Sequence, residues 1–251
     1  MTISIYNDDC LKVMPKLPDK SIDLILADLP YSNKITHNEW DVLIPFEPLW
    51  ANYKRLIKDN GAIILFGQGI FSAQLITSNP TMYRYTLVWN KVRRTGFLNA
   101  NRMPLKQHED ILVFYKHLPT YNPQMIEGKE ASHRRGKKWE QKGNSMDKGK
   151  IYGNYNHNYD TPSSKSKMKY PTDILTFPNK VQHHVHPTQK PVDLLQYLIK
   201  TYTNENMTVL DNTMGSGSTG VAAKLLNRNF IGIEQDKKYF EIAKERIQKC
   251  K

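Results

Sequence analysis

Short apolar runs alternate with segments of helical spacing along most of this chain, and that alternation limits the fold more than any other feature. Residues 21–27 read as a mostly buried strand ending at Asp28, and residues 62–66 as a second. Between them Phe46, Leu49, Trp50, Tyr53, Leu56 and Ile57 recur at helical spacing over residues 45–58, with Asn60-Gly61 placed to end the helix through a C′ glycine. Residues 69–78 predict a short helix, and residues 85–89 and 111–115 further strands. Towards the C-terminus, Pro191 suits the first residue of a helix through Leu194, Leu195, Leu198 and Ile199. A strand at 208–210, a Gly/Ser turn at 215–218, a helix at 219–226, a strand at 230–233 and a charged helix at 237–248 follow. This order predicts an α/β fold, a mostly parallel doubly wound sheet with helices on both faces. Ligands of such sheets sit at the carboxyl ends of the strands.

Two of those strand ends carry chemistry. Asp211-Asn212-Thr213-Met214-Gly215-Ser216-Gly217-Ser218-Thr219 follows a strand and opens a helix. Its glycines allow close backbone approach, and its N–H groups face a ligand. Glu234 ends the next strand, where a carboxylate can accept from both ribose hydroxyls. The pair points to a nucleoside cofactor without separating a dinucleotide from S-adenosylmethionine, although the third glycine of the dinucleotide spacing is missing. The other strand end is Asp28-Leu29-Pro30-Tyr31. Proline withholds a donor, so a carboxylate beside outward carbonyls can receive an amino group, and Tyr31 offers a face to a planar base.

Charge bears on the partner. The 251 residues hold 36 Lys and Arg against 24 Asp and Glu, a net +12. Residues 90–170 hold seventeen of those cations and seven of the acids, +10 of the total. Within residues 128–169, Trp139, Tyr152, Tyr155 and Tyr159 are interleaved with the cations, with Tyr170 just beyond. Cations meet phosphates and π-faces stack on bases, so nucleic acid is the favoured partner; a solvated loop is the plainer reading. Apolar runs such as Ala62 to Phe66 fall far short of the roughly 20 residues of a membrane span. The opening Met1-Thr2-Ile3-Ser4-Ile5 has no basic or apolar leader, so no secretory signal is expected. Cys10 and Cys250 cannot frame a disulfide scaffold or a four-thiolate zinc site. A cytoplasmic protein without a membrane partner is expected. His183, His184 and His186 lack acids or cysteines at ligand spacing, so no metal site is expected.

The two strand-end sites, in this order, resemble the β-group of DNA amino-methyltransferases, whose catalytic signature is (D/N/S)-(P/I)-P-(Y/F/W) and whose cofactor loop follows the target-recognition region. Tyr6-Asn7-Asp8-Asp9-Cys10 with Leu17-Pro18-Asp19-Lys20-Ser21-Ile22-Asp23 is similar to the family's lead-in. Leu87-Val88-Trp89-Asn90-Lys91, His108-Glu109-Asp110-Ile111-Leu112 and His186-Pro187-Thr188-Gln189-Lys190-Pro191 match further segments, and residues 214–223 the glycine loop. Leu29 replaces the usual first proline, Asp8 a glycine, and Asn212-Thr213 a Pro-Phe pair.

What the resemblance implies is a Rossmann-like S-adenosyl-L-methionine-dependent fold with permuted motif order, one catalytic domain over 1–251 and an inserted basic target-recognition region at 118–180. The cofactor would be lined by Gly215, Ser216 and Gly217, with Glu234 on its ribose, Asp9 on its adenine amine, and Asp211, Lys190 and Thr188 towards its methionine end. Asp28, Pro30 and Tyr31 would grip the target base, with Asp28 also at the cofactor. Lys91, Arg93, Arg94, Arg134, Arg135, Lys137 and Lys138 are the candidates for DNA phosphates. The expected activity is restriction-modification-type DNA methylation at adenine N6 in double-stranded DNA. N4-cytosine methylation, RNA amino-methylation, a catalytically dead DNA-binding module and a nicotinamide dehydrogenase are the alternatives. A cognate restriction endonuclease and a homodimer are compatible with the resemblance, and the sequence specifies neither. Ring-carbon methylation would need a Pro-Cys nucleophile, and neither cysteine follows a proline.

Overall fold

The apolar runs come together in one mixed sheet of eight strands. The computed structural model describes residues 1–31, 42–128, 168–179 and 189–250. By backbone contacts the chain divides into two units, Met1–Asn122 with Asp173–Lys251, and Pro123–Thr172. In the second unit the described residues form a two-stranded antiparallel ribbon of β6 (Ile126–Glu127) and β7 (Met168–Lys169).

The first unit holds β1 (Ile3–Tyr6), β2 (Ile22–Ala27), β3 (Ile57–Gly67), β4 (Tyr83–Thr95), β5 (Lys106–Phe114), β8 (Ile174–Thr176), β9 (Thr208–Asp211) and β10 (Asn229–Ile233), in the spatial order β1-β10-β9-β2-β3-β5-β4-β8. Only β5 runs against the others: it pairs antiparallel with β3 and β4, and every other pairing is parallel. The sequence predicts a mostly parallel sheet, and this is one.

Side chains alternate across the sheet with the period of a strand. Ile25 of β2, Ile63 and Leu65 of β3 and Leu112 of β5 pack on one face, with α1 (Cys10–Val13), α2 (Phe46–Leu56) and α3 (Ile70–Ser78). Leu24, Leu26, Ile64 and Val113 pack on the other, with α4 (Val192–Tyr202), α5 (Ser218–Leu225) and α6 (Lys237–Lys249). Because β2 is covered on both faces, all six of its residues are buried and its sequence shows no polar alternation.

One boundary differs from expectation. Asn60-Gly61 does not cap α2; the helix ends at Leu56, Ile57 is already extended, and β3 runs through Gly61. The register between β2 and β3 shifts here, from Ile22↔Ile57 to Leu24↔Ala62. A Cβ on Gly61 would lie 2.8 Å from the backbone oxygen of Asp23, so the glycine serves a close strand approach rather than a helix stop. Pro191 likewise sits one position earlier than expected, as the N-cap of α4.

Asp23 fills the irregularity. Its carboxylate accepts from Lys58 Nζ at 2.8 and 2.9 Å and from the backbone N–H of Thr208 at 2.9 Å, joining β2, β3 and the start of β9. With Asp23 only 7% exposed, losing the acceptor strands a backbone donor. Asp23→Ala is expected to lower the unfolding free energy by about 2 kcal/mol in urea titration. Asp23→Asn, which keeps an oxygen for Thr208, should lose less.

Candidate functional site

The strand order reverses between β2 and β9. From β2 the chain crosses through α2 to β3 on one side; from β9 it crosses through α5 to β10 on the other. Such a reversal opens a crevice beyond the carboxyl ends of the two strands. Asp28 leaves β2 at that point, and Asp211 ends β9. Thr213 Oγ1 donates to the backbone carbonyl of Asp28 at 3.0 Å and ties the two strand ends together. A cavity of about 510 Å³ occupies the crevice, lined on one side by Asp28, Leu29, Pro30 and Tyr31 and on the other by Asp9, Asp211, Gly215, Ser216 and Glu234.

The glycine loop is shaped by its neighbours. Gly217 is the N-cap of α5 at φ 79, and a Cβ there would meet Ala243 of α6 at 2.8 Å. Arg246 of α6 donates to the carbonyl and to Oγ of Ser216, the latter at 2.8 Å, and holds the loop from behind. Glu234 accepts from Gly215 N–H at 2.9 Å and from Asp236 N–H at 2.8 Å, one bond to each oxygen. Each oxygen keeps a second lone pair for a ligand hydroxyl. Asp9 caps α1 through Leu11 N–H at 2.8 Å. Asn212, at the cavity, is 2% exposed; its Oδ1 accepts from Tyr53 Oη at 2.6 Å, and its side chain also bonds the Cys10 thiol.

Across the crevice Tyr31 Oη donates to Asp28 Oδ1 at 3.2 Å, and the Tyr31 ring stacks on Phe71 with centroids 4.7 Å apart. Lys190 Nζ donates to Asp28 Oδ2 at 2.6 Å and lies 3.3 Å from Glu109 Oε2. Lys91 Nζ donates to Glu109 Oε1 at 2.8 Å. Two carboxylates and two ammonium groups thus alternate in one half-buried network. Burial pushes the Asp28 carboxyl up from its ordinary value, with the Lys190 charge opposing. Burial works against the Lys190 ammonium, but Asp28 and Glu109 outweigh it and raise its pKa. Glu109 is held low, its own burial outweighed by Lys190 and Lys91.

Lys91 is therefore corrected as a candidate phosphate contact: it is 8% exposed and its charge is taken by Glu109. Arg93 and Arg94 are exposed. Lys190, expected towards the methionine end of a cofactor, lines the cavity and pairs there with Asp28. Arg134, Arg135, Lys137, Lys138 and Thr188 lie outside the described residues. Sequence reasoning gave no role to Glu109, Arg246, Tyr53 or Phe71. A carboxylate beside the apolar Ile111–Phe114 stretch was a signal for Glu109; Arg246 sits on a charged helix where nothing marks it out.

Asp211 is 3% exposed, and burial raises its pKa to about 7 against hydrogen bonds from Thr219 and the Thr213 N–H. The folded protein therefore binds a proton that the unfolded chain has released, and stability falls as pH rises from about 4 to about 7. In urea unfolding at pH 5 and pH 8, Asp211→Asn should remove about 2 kcal/mol of that fall. An identical fall in wild type and variant would place the titration elsewhere.

Comparison with known proteins agrees with this architecture. The DNA methylase family model, of N6 and N4 type, matches residues 22–245. The type II methyltransferase M2.MboI of Moraxella bovis is 30% identical, with 97% of this chain and 86% of that protein aligned. M.BglII of Bacillus subtilis is 31% identical over 95% of this chain and 67% of its own length. Among solved structures, the M1.HpyAVI–SAM complex superposes with a TM-score of 0.63 at 26% identity, covering 98% of this chain and 99% of that one. The cytosine-N4-specific PvuII DNA methyltransferase superposes with a TM-score of 0.70 over 98% of this chain and 86% of its own; at 15% identity it shares the fold. With a family match spanning both strand-end sites and the sheet between them, the chain belongs to the N6/N4 DNA methylases.

Proposed function

We propose that this chain transfers a methyl group from S-adenosyl-L-methionine to the exocyclic N6 amine of an adenine everted from duplex DNA at a specific site. One observation carries the reading: the Asp28–Tyr31 segment and the Gly215–Glu234 pair line the same cavity, bridged by the Thr213–Asp28 bond. M1.HpyAVI, a relative in sequence and fold, was crystallised with SAM. The backbone bonds that orient Glu234 suit a polar nucleoside. Glu234 would hold the ribose, Asp9 the adenine amine, and Gly215, Ser216 and Gly217 the chain linking nucleoside to methionine, near Asp211. Bound there, the cofactor supplies an electrophilic sulfonium methyl.

The chain's own groups prepare the acceptor. An exocyclic amine is a weak nucleophile because its lone pair is delocalised into the ring. Asp28 and the carbonyl of Leu29 or Pro30 accept its two N–H bonds, favour a pyramidal nitrogen and direct the lone pair at the methyl. As the nitrogen–carbon bond forms and the sulfur–methyl bond breaks to release a neutral thioether, the positive charge developing on nitrogen would be stabilised by the Asp28 carboxylate, and the surplus N–H proton would pass to solvent. Lys190, 2.6 Å away, favours the ionised form that burial opposes. Tyr31, backed by Phe71, presents its other face to the base. Cytosine N4 presents the same donor pair, and a family that covers both N6 and N4 types keeps that reading as the second.

Incubation with labelled cofactor and plasmid DNA, followed by nucleoside mass spectrometry, tests the proposal. N6-methyladenine is expected; N4-methylcytosine would replace adenine as the substrate, and neither product would overturn both. Asp28→Ala should cut turnover by about 10³-fold or more while leaving cofactor affinity within about twofold by calorimetry. Retained turnover would remove Asp28 as the amine acceptor.

A further inference from the structure

Beyond the cavity rim, β4 and β5 continue as a hairpin whose tip packs into neither core. Trp89 pairs with Glu109 and Asn90 with His108; then the register breaks, and pairing resumes at Thr95↔Lys106. Thr95, at the base of the tip, lines the same cavity as Asp28. In the break, Val92 adopts φ 64, a left-handed conformation that a β-branched residue rarely takes. Asn90 enforces it, since its Oδ1 accepts from Val92 N–H at 3.1 Å and from Gln107 Nε2 at 3.0 Å. Irregularities of this kind re-aim the strand beyond them and persist where the surroundings over-determine the strain.

What the bulge aims outward is unusual for a solvated turn. Phe97 is 68% exposed and Leu98 is 102% exposed, adjacent in sequence at the tip. Arg93, Arg94, Arg102 and Lys106 flank them, and residues 92–107 contain no Asp or Glu. A second copy of this patch would bring like charges face to face, so the four cations disfavour self-association through the tip. A polyanion fits the charge, and a stack of bases fits the apolar pair. Apolar side chains entering between base steps, held by cations on the flanking phosphates, are an established way to open a duplex.

We propose that Phe97 and Leu98 form a wedge that enters the base stack beside the target and occupies the space an everted base leaves, with Arg93, Arg94, Arg102 and Lys106 on the flanking phosphates. The inference rests on the methylation reading above, because it requires a base that leaves the duplex to reach Asp28.

The test compares two duplexes carrying the site that the wild type methylates, one fully matched and one with an abasic position opposite the target. A base without a partner is already easy to evert, so the wedge is dispensable there. Replacing both Phe97 and Leu98 by Ala should lower kcat/KM about tenfold or more on the matched duplex and about twofold or less on the abasic one. Cofactor affinity by calorimetry should match the wild type, showing an intact fold. Arg94→Gln should weaken both duplexes equally and flatten the salt dependence. Equal losses on both duplexes, or no loss, would overturn the wedge, as would a drop in sedimentation coefficient showing that the tip joins two copies. Wild-type protein that methylates no plasmid DNA, so that no such site is found, would overturn the methylation reading itself, a result distinct from any ratio between the duplexes.

Discussion

The structure depends on β2 and β9 being neighbours whose connections leave in opposite directions. Leu24↔Val209 and Ile25↔Leu210 are the only register pairs between them, after which the chains diverge. Paired strands lie about 4.8 Å apart, so two acids at their ends, Asp28 and Asp211, begin close together in a place that topology makes concave. Burial raises both pKa values, and a neighbouring acid adds to each, Glu109 at Asp28 and Asp28 at Asp211, against the Lys190 charge at the first and hydrogen bonds from Thr219 and Thr213 at the second. A crevice that gathers acids also needs cations, and the sequence supplies Lys190 from the segment preceding α4.

That compensation organises the far wall. Lys190 reaches Asp28 and Glu109, and Glu109 in turn takes Lys91. Glu109 can do this only because β5 runs backwards: its N-terminal half then lies at the same sheet edge as the carboxyl ends of β2, β3 and β4. A parallel β5 would place Glu109 at the opposite rim and leave Lys190 with one carboxylate. The reversed strand, which looks like a departure from the doubly wound pattern, is thus what closes the charge balance around Asp28.

Legibility in the sequence followed the range of the forces involved. β2, α3, α5, β10 and α6 were readable to within one or two residues, because burial on both sheet faces or on one helix stripe writes a local period. The two strand ends that line the cavity were readable as well, since each motif is contiguous. Strand direction was not: an apolar run has the same pattern either way, so the reversal of β5 was invisible. Gly61 was misread because a glycine after a helical pattern serves equally as a C′ stop or as a close strand approach, and only the carbonyl of Asp23 opposite decides it. Lys91 carried a charge that suited DNA until the fold supplied Glu109 as its partner; pairs separated by eighteen positions or more leave no local trace.

The departures from the family pattern are accounted for by the same packing. Leu29, in place of a proline, is 3% exposed and lies in the core cluster with Leu49 and Val13. Thr213 stands where an aromatic is usual, and its hydroxyl makes the bond to Asp28 that joins the two halves of the site. An aromatic at that position would contribute area against a ligand; threonine contributes a link between β9 and β2 instead. Across the crevice, a hydrogen bond between a side chain and the backbone therefore joins the two strand ends.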